Sequence, residues 1–95
     1  MSATIGYETM LVFSVAGGDE KAAELVEKFK VLVEENGTLE SMDEWGKRKL
    51  AYPINDELEG YYVLLNFLAG PDFPAELERV LKITDGVLRY LTIRR

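Results

Sequence analysis

The sequence contains no cysteine and no histidine. The first absence excludes disulfide bridges and thiolate metal sites, and the second removes the commonest general base and metal ligand of proteins. No apolar run approaches the length of a membrane-spanning helix, and no basic region precedes an apolar stretch at the N-terminus. We therefore expect a cytoplasmic protein without a membrane segment, a signal peptide or a metal site.

The composition is that of a small globular protein whose charges are unevenly distributed. The 95 residues are 47% hydrophobic and 29% charged, with a net charge of −6, which predicts one domain over residues 1–95. Residues 1–45 carry ten acidic and three basic residues, whereas residues 46–95 carry seven acidic and eight basic ones. Because local charge governs a contact more than total charge does, the basic segments remain candidate binding regions. An acidic chain should nevertheless bind RNA weakly alone, so we expect a basic partner.

Hydrophobic patterning predicts the first half of the fold. After a loose start at 1–6, residues 7–16 are rich in aromatic and β-branched residues and predict a strand. Helical spacing of apolar residues predicts a helix over 20–35, which Gly37 should end as a C′ glycine. Residues 38–52 read as a long polar strand. A glycine inside a strand usually marks a bulge, which we place at Trp45-Gly46.

The second half of the sequence again alternates between strand and helix signals. Residues 53–60 predict a turn and residues 61–69 the most apolar strand. A short helix should follow Pro71 and Pro74, and residues 87–93 predict the last strand.

The resulting order, β-α-β-β-α-β, predicts an α+β, ferredoxin-like sandwich. In this fold a four-stranded antiparallel sheet of order 4-1-3-2 carries both helices on one face. Neither the first nor the third strand has a clean polar face, so the helix-free face should be semi-apolar and suited to a partner. The alternative is that long side chains such as Arg89 and Tyr62 cover it themselves.

Three consecutive cations, Lys47, Arg48 and Lys49, stand beside Trp45 and Tyr52. Cations next to aromatic side chains contact phosphates and stack on bases; the alternative is an exposed strand whose charges protect a sheet edge. Alternation sends Arg48 to the face opposite Lys47 and Lys49.

Two further classes of function have weaker support in the sequence. An enzyme is disfavoured, because the Gly17-Gly18 loop precedes Asp19 and Glu20, which repel phosphate, and no acid and base converge. A ligand-sensing or self-associating module of the same fold is permitted, but no residue pattern selects a ligand.

Several segments together resemble the bacterial small-subunit ribosomal protein six family. They are Tyr7-Glu8, Trp45–Ile54, Glu59–Val63, Asn66-Phe67 and Leu77–Tyr90, in the family's order and spacing. The resemblance implies a structural protein of the small ribosomal subunit in the bacterial cytoplasm. It also implies binding to the central domain of small-subunit ribosomal RNA, together with small-subunit ribosomal protein eighteen as a heterodimer. It implies no catalysis, cofactor, small-molecule substrate or membrane.

Eight residues are our candidates for contact with RNA or with the protein partner. They are Lys47, Arg48, Lys49, Arg89, Arg94, Arg95, Tyr7 and Tyr90. Trp45 is expected to pack at the bulge.

Overall fold

A computed structural model describes residues 4–54 and 57–95 of the chain. Its elements are β1 (Ile5–Ser14), α1 (Asp19–Asn36), β2 (Gly37–Ile54), β3 (Glu57–Ala69), α2 (Phe73–Ile83) and β4 (Val87–Arg94). The order β-α-β-β-α-β is the one that the sequence predicts.

The strands form one antiparallel sheet in the order β2-β3-β1-β4. Read from the other edge, this is the predicted order 4-1-3-2, so the predicted fold class is confirmed. The two long strands β2 and β3 make one hairpin along one side of the sheet. β4 is the opposite edge and pairs with β1.

Several strand boundaries differ from the predicted ones. β1 begins at Ile5 rather than residue 7 and ends at Ser14, so Ile5 and Gly6 belong to the sheet; the predicted loose residues 1–3 lie outside the described part of the chain. β3 begins at Glu57 rather than residue 61, because backbone pairing with β2 continues through polar residues at the exposed end of the hairpin. The predicted turn at 53–60 is therefore shorter, and its residues 55 and 56 are not among those described.

Gly37 follows α1 but does not have the left-handed conformation of a C′ glycine, which corrects the predicted capping role. Its φ is −175°, an extended conformation that any residue adopts. The reason for glycine is space: a Cβ atom at Gly37 would collide with the carbonyl oxygen of Leu68 on β3. Gly37 is the first residue of β2, at a point where the backbones of β2 and β3 approach closely.

The hydrophobic core lies between the helices and one face of the sheet. Phe29 of α1 is fully buried and stacks on Phe13 of β1, with ring centroids 5.8 Å apart. Phe67 of β3 meets Phe73 of α2 edge to face at 5.6 Å. Other buried core residues are Leu11, Val26, Val33, Val63, Leu65, Leu77 and Leu81. Every second residue of β1 and β3 points to this core, as the strand period requires.

The helix-free face of the sheet has a small apolar cluster of its own at the hairpin end. Val12 of β1 and Leu50 of β2 are both buried, although neither belongs to the main core. A Cβ atom at Gly60 would stand 2.5 Å from Val12 Cγ1 and 3.3 Å from Leu50 Cδ2. The hairpin therefore folds over this end of the face, and Gly60 leaves the space in which the two side chains pack.

Candidate nucleic-acid interface

The predicted bulge at Trp45-Gly46 is confirmed by the register of β2 against β3. Glu44 pairs with Val63 and Gly46 pairs with Tyr62, so that Trp45 is the extra residue. Gly46 has a φ of 78°, a conformation that other L-residues rarely adopt. The extra residue turns the Trp45 side chain onto the helix-free face of the sheet.

Trp45, Tyr62 and Arg48 form a continuous group on that face, which we call the bulge cluster. The Trp45 and Tyr62 rings are parallel to within 8°, with centroids 6.4 Å apart. Arg48 Cζ lies 6.0 Å from the Trp45 ring centroid, and Arg48 Nε donates a hydrogen bond of 3.3 Å to the Trp45 carbonyl oxygen. Trp45 nevertheless remains 44% exposed.

Lys47 and Lys49 lie on the other side of β2 from Arg48. Lys47 pairs in register with Tyr61 and Lys49 with Glu59, whereas Arg48 pairs with Gly60. Both lysines are exposed. The split is the one that alternation predicts, so the three consecutive cations do not act as one patch.

Arg89, a candidate from the sequence, reaches across the helix-free face toward the hairpin. Its Nη1 donates a hydrogen bond of 2.9 Å to the Tyr52 hydroxyl oxygen, and its Cζ lies 5.8 Å from the centroid of that ring. Tyr52 belongs to β2 and Arg89 to β4, which are the two edges of the sheet. The pair therefore joins the hairpin end to the far edge. The sequence allowed that Arg89 covers part of this face but did not predict Tyr52 as its partner.

Arg95 makes a second contact across the sheet, at the other end of the helix-free face. Its guanidinium group lies over Gly6, where a Cβ atom would stand 2.7 Å from Arg95 Nη2, and it pairs with the Glu40 carboxylate. The backbone N–H of Arg95 also donates to the carbonyl oxygen of Gly6 at 2.9 Å. The Arg94 side chain is exposed and, among the described residues, makes neither a hydrogen bond nor an ion pair.

The two candidate tyrosines pack against the core. Tyr7 is only 6% exposed and its ring lies 5.7 Å from that of Phe67. Tyr90 is partly buried against the same core and lines a cavity of about 240 Å³ on the helix-free face. A base has no access to the face of the buried Tyr7 ring while the core is intact.

Apolar side chains occupy the middle of the helix-free face between the two arginine contacts across the sheet. Leu91 is 63% exposed and Ile93 is 47% exposed, both on β4. Met10 of β1 and Leu64 of β3 are paired and half-buried beside them. The predicted semi-apolar face is thus present, and the arginines cover only its two ends.

The described residues contain no group of acidic side chains that could hold a metal ion, and no described helix is long and apolar enough to cross a membrane. Two shifted pKa values belong to an ion pair on α2. The hydrogen bond from Arg79 lowers the pKa of Glu76, and the same bond raises the pKa of Arg79.

Comparison with known families settles the relationship. The model of the family described as "Ribosomal protein S6" matches residues 6–94. The chain belongs to the ribosomal protein S6 family. It is 58% identical to the small ribosomal subunit protein bS6 of Caldanaerobacter subterraneus subsp. tengcongensis, over 93% of this chain and 94% of the relative. It is 51% identical to the corresponding protein of Clostridium novyi, over 92% of this chain and 93% of that one.

A solved structure of the ribosomal protein S6 family has the same fold. The crystal structure of 30S ribosomal protein S6 from Thermotoga maritima superimposes with a TM-score of 0.91 at 30% sequence identity. The match covers 98% of this chain and 89% of that one. The predicted family and the predicted ferredoxin-like architecture are therefore both confirmed.

Proposed function

We propose that this chain acts as one ferredoxin-like domain in the small subunit of the bacterial ribosome, in the cytoplasm. In that role it binds the central domain of small-subunit ribosomal RNA together with small-subunit ribosomal protein eighteen, as a heterodimer. The observation that carries the proposal is the family match over residues 6–94. The role is structural and needs no cofactor, small-molecule substrate or membrane.

The surface supports two kinds of contact. Lys49 and Arg94 are exposed cations without an ion pair among the described residues, and such cations suit phosphate groups. The net charge of −6 and the exposed apolar middle of the helix-free face suit a basic protein partner. We therefore assign the free cations to RNA and the apolar middle of the face to protein eighteen.

The test is RNA binding measured against salt, with and without the partner. The purified chain is mixed with a central-domain RNA fragment, alone or with protein eighteen, and the affinity is measured between about 50 and 200 mM salt, where phosphate contacts lose strength. We expect tight, salt-sensitive binding only with both proteins present. A fragment that binds neither mixture, under conditions where the Thermotoga maritima protein binds, refutes the proposal.

Single substitutions assign the contacts. Lys49→Ala and Arg94→Ala should each weaken binding and lower the salt slope by about one, since each removes one phosphate contact. Lys82→Ala is the matched control, because Lys82 is an exposed cation on α2, an element that packs on the opposite face of the sheet. An equal loss in all three variants would show that only net charge matters.

A further inference from the structure

We propose that the bulge cluster binds an unpaired nucleobase of the RNA, which stacks between Trp45 and Arg48 while Arg89 contacts a flanking phosphate. The inference rests on the proposed function and assigns one part of the RNA to one part of the surface. The ligand is a single-stranded nucleotide segment rather than a duplex, because only an unstacked base presents its ring to a side chain.

The first observation is that the Trp45 ring is organised but accessible. Parallel rings with centroids 6.4 Å apart overlap only at their edges, as offset pairs do. Tyr62 therefore fixes the plane of the indole without covering it, and Trp45 stays 44% exposed. The bulge at Gly46 holds this arrangement in the backbone, so the ring is oriented before a ligand arrives.

The second observation is the distance between Arg48 and the Trp45 ring. Groups in contact stack about 3.5–4 Å apart, whereas Arg48 Cζ lies 6.0 Å from the ring centroid. A base inserted between them needs about 7 Å, which is two contact separations. Arg48 is exposed, and among the described residues its side chain is held by a 3.3 Å hydrogen bond and the 6.0 Å ring contact, so a shift of about an ångström admits a base that both groups cover.

The third observation is that the hairpin end of the face carries arginines beside aromatic rings. Arg48 accompanies Trp45, and Arg89 accompanies Tyr52. Of the two acidic residues before Trp45, Glu44 pairs in register with core-facing Val63 and accepts a hydrogen bond of 3.1 Å from Tyr61, so it belongs to the other face, whereas Asp43 pairs with Leu64 on the helix-free face. Positive charge beside exposed rings fits bases and phosphates, whereas the apolar middle of the face offers no ring.

The indole N–H of Trp45, the single tryptophan of the chain, reports directly on this surface. The ¹⁵N-labelled full chain is titrated with a single-stranded oligouridylate and with a duplex RNA of equal length. Both titrations are repeated in the presence of unlabelled protein eighteen. We expect the indole resonance to shift with the single strand and to stay in place with the duplex.

Labelled-RNA anisotropy then measures the energetic contribution. Removing a base–aromatic stack weakens binding by roughly 5- to 150-fold, so Trp45→Ala should weaken single-strand binding by that factor. Trp45→Phe keeps an aromatic ring at the bulge and should retain most of the affinity. Tyr62→Ala should weaken binding less than Trp45→Ala does, because Tyr62 acts by orienting the indole. Lys82→Ala is again the control and should leave binding unchanged within about twofold.

The outcomes separate this inference from the proposed function. If the central-domain fragment binds with protein eighteen but the indole resonance does not move, the base site is wrong and the ribosomal role stands. If protein eighteen moves the resonance and RNA does not, the cluster belongs to the protein interface and the base site is again wrong. If no RNA binds either mixture, both proposals fail.

Discussion

Gly46 sets the direction of the Trp45 side chain through its positive φ. Replacing it with alanine measures the backbone strain that a side chain causes at this position. Its φ of 78° lies where L-residues other than glycine are strained. A Cβ atom there meets no heavy atom within 4 Å, so the substitution adds backbone strain and no collision. Left-handed backbone costs a residue roughly 1–2 kcal/mol, and the stiffer unfolded chain of an alanine variant returns about 0.4–1 kcal/mol. We expect a net loss of about 1 kcal/mol in the free energy of unfolding.

Urea denaturation followed by far-UV circular dichroism measures this loss. With a urea dependence of about 1–3 kcal/mol per molar for a small protein, a loss of about 1 kcal/mol lowers the midpoint by roughly 0.3–1 M. Gly46→Asn is the matched variant. Asparagine adopts positive φ more readily than alanine, so it should recover a large part of the loss.

Gly37 is the contrasting position, because glycine is required there by the lack of space for a Cβ atom and not by the backbone angle. There φ is extended, and a Cβ atom collides with the backbone carbonyl of Leu68. Gly37→Ala should cost more than Gly46→Ala, and Gly37→Asn should recover nothing. If asparagine fails to exceed alanine at Gly46, or if alanine costs nothing there, then backbone strain at the bulge is not what this glycine prevents.

Three further outcomes follow from the packing and charges. Phe29→Ala should lower the free energy of unfolding by about 3–5 kcal/mol, because the ring is fully buried against Phe13; a loss below 1 kcal/mol in urea denaturation would contradict this. Arg79→Ala should raise the pKa of Glu76 toward its usual value in an NMR titration, since the hydrogen bond from Arg79 lowers it. A carboxyl whose pKa is lowered on folding stabilises the fold above its unfolded pKa and loses that effect as pH falls through the folded value. The stability difference between Arg79→Ala and the parent should therefore vanish at acid pH, and one that persists there has another cause. Tyr52→Phe removes the hydroxyl that Arg89 binds, and its unfolding free energy should fall by no more than about 1 kcal/mol, because the pair is exposed; a larger loss would mean that this contact holds the hairpin end in place.

Most of the fold follows from local signals in the sequence. The alternating apolar residues of β1 and β3 and the helical spacing in α1 and α2 set the elements, and the handedness of crossovers sets the strand order. The bulge was predictable because Gly46 interrupts a strand. The capping role of Gly37 was wrongly predicted, because the close approach of Leu68 on β3 depends on tertiary structure that no local window contains.

The candidate site was predictable in composition but not in geometry. Alternation correctly separated Arg48 from Lys47 and Lys49. Nothing in the sequence indicated that Arg89 would reach Tyr52, 37 residues away, or that Arg95 would reach Glu40, 55 residues away. Such pairs depend on how far the hairpin folds over the sheet, and the register of β2 against β3 shifts at three points that the pattern alone does not fix.

The contacts that Arg89 and Arg95 make across the sheet change how much each basic residue can contribute to RNA affinity. A cation that already pairs with Glu40, as Arg95 does, must break that pair before it neutralises a phosphate, so its net contribution to RNA affinity is reduced. Arg48 gives up only a long hydrogen bond and a loose ring contact. Arg48 and Arg95 are both exposed cations on the same face, so net charge alone predicts equal contributions to RNA binding. Only the partners that each residue already has distinguish them. Arg48→Ala should therefore weaken RNA binding more than Arg95→Ala, and an equal loss would assign the contact to charge alone.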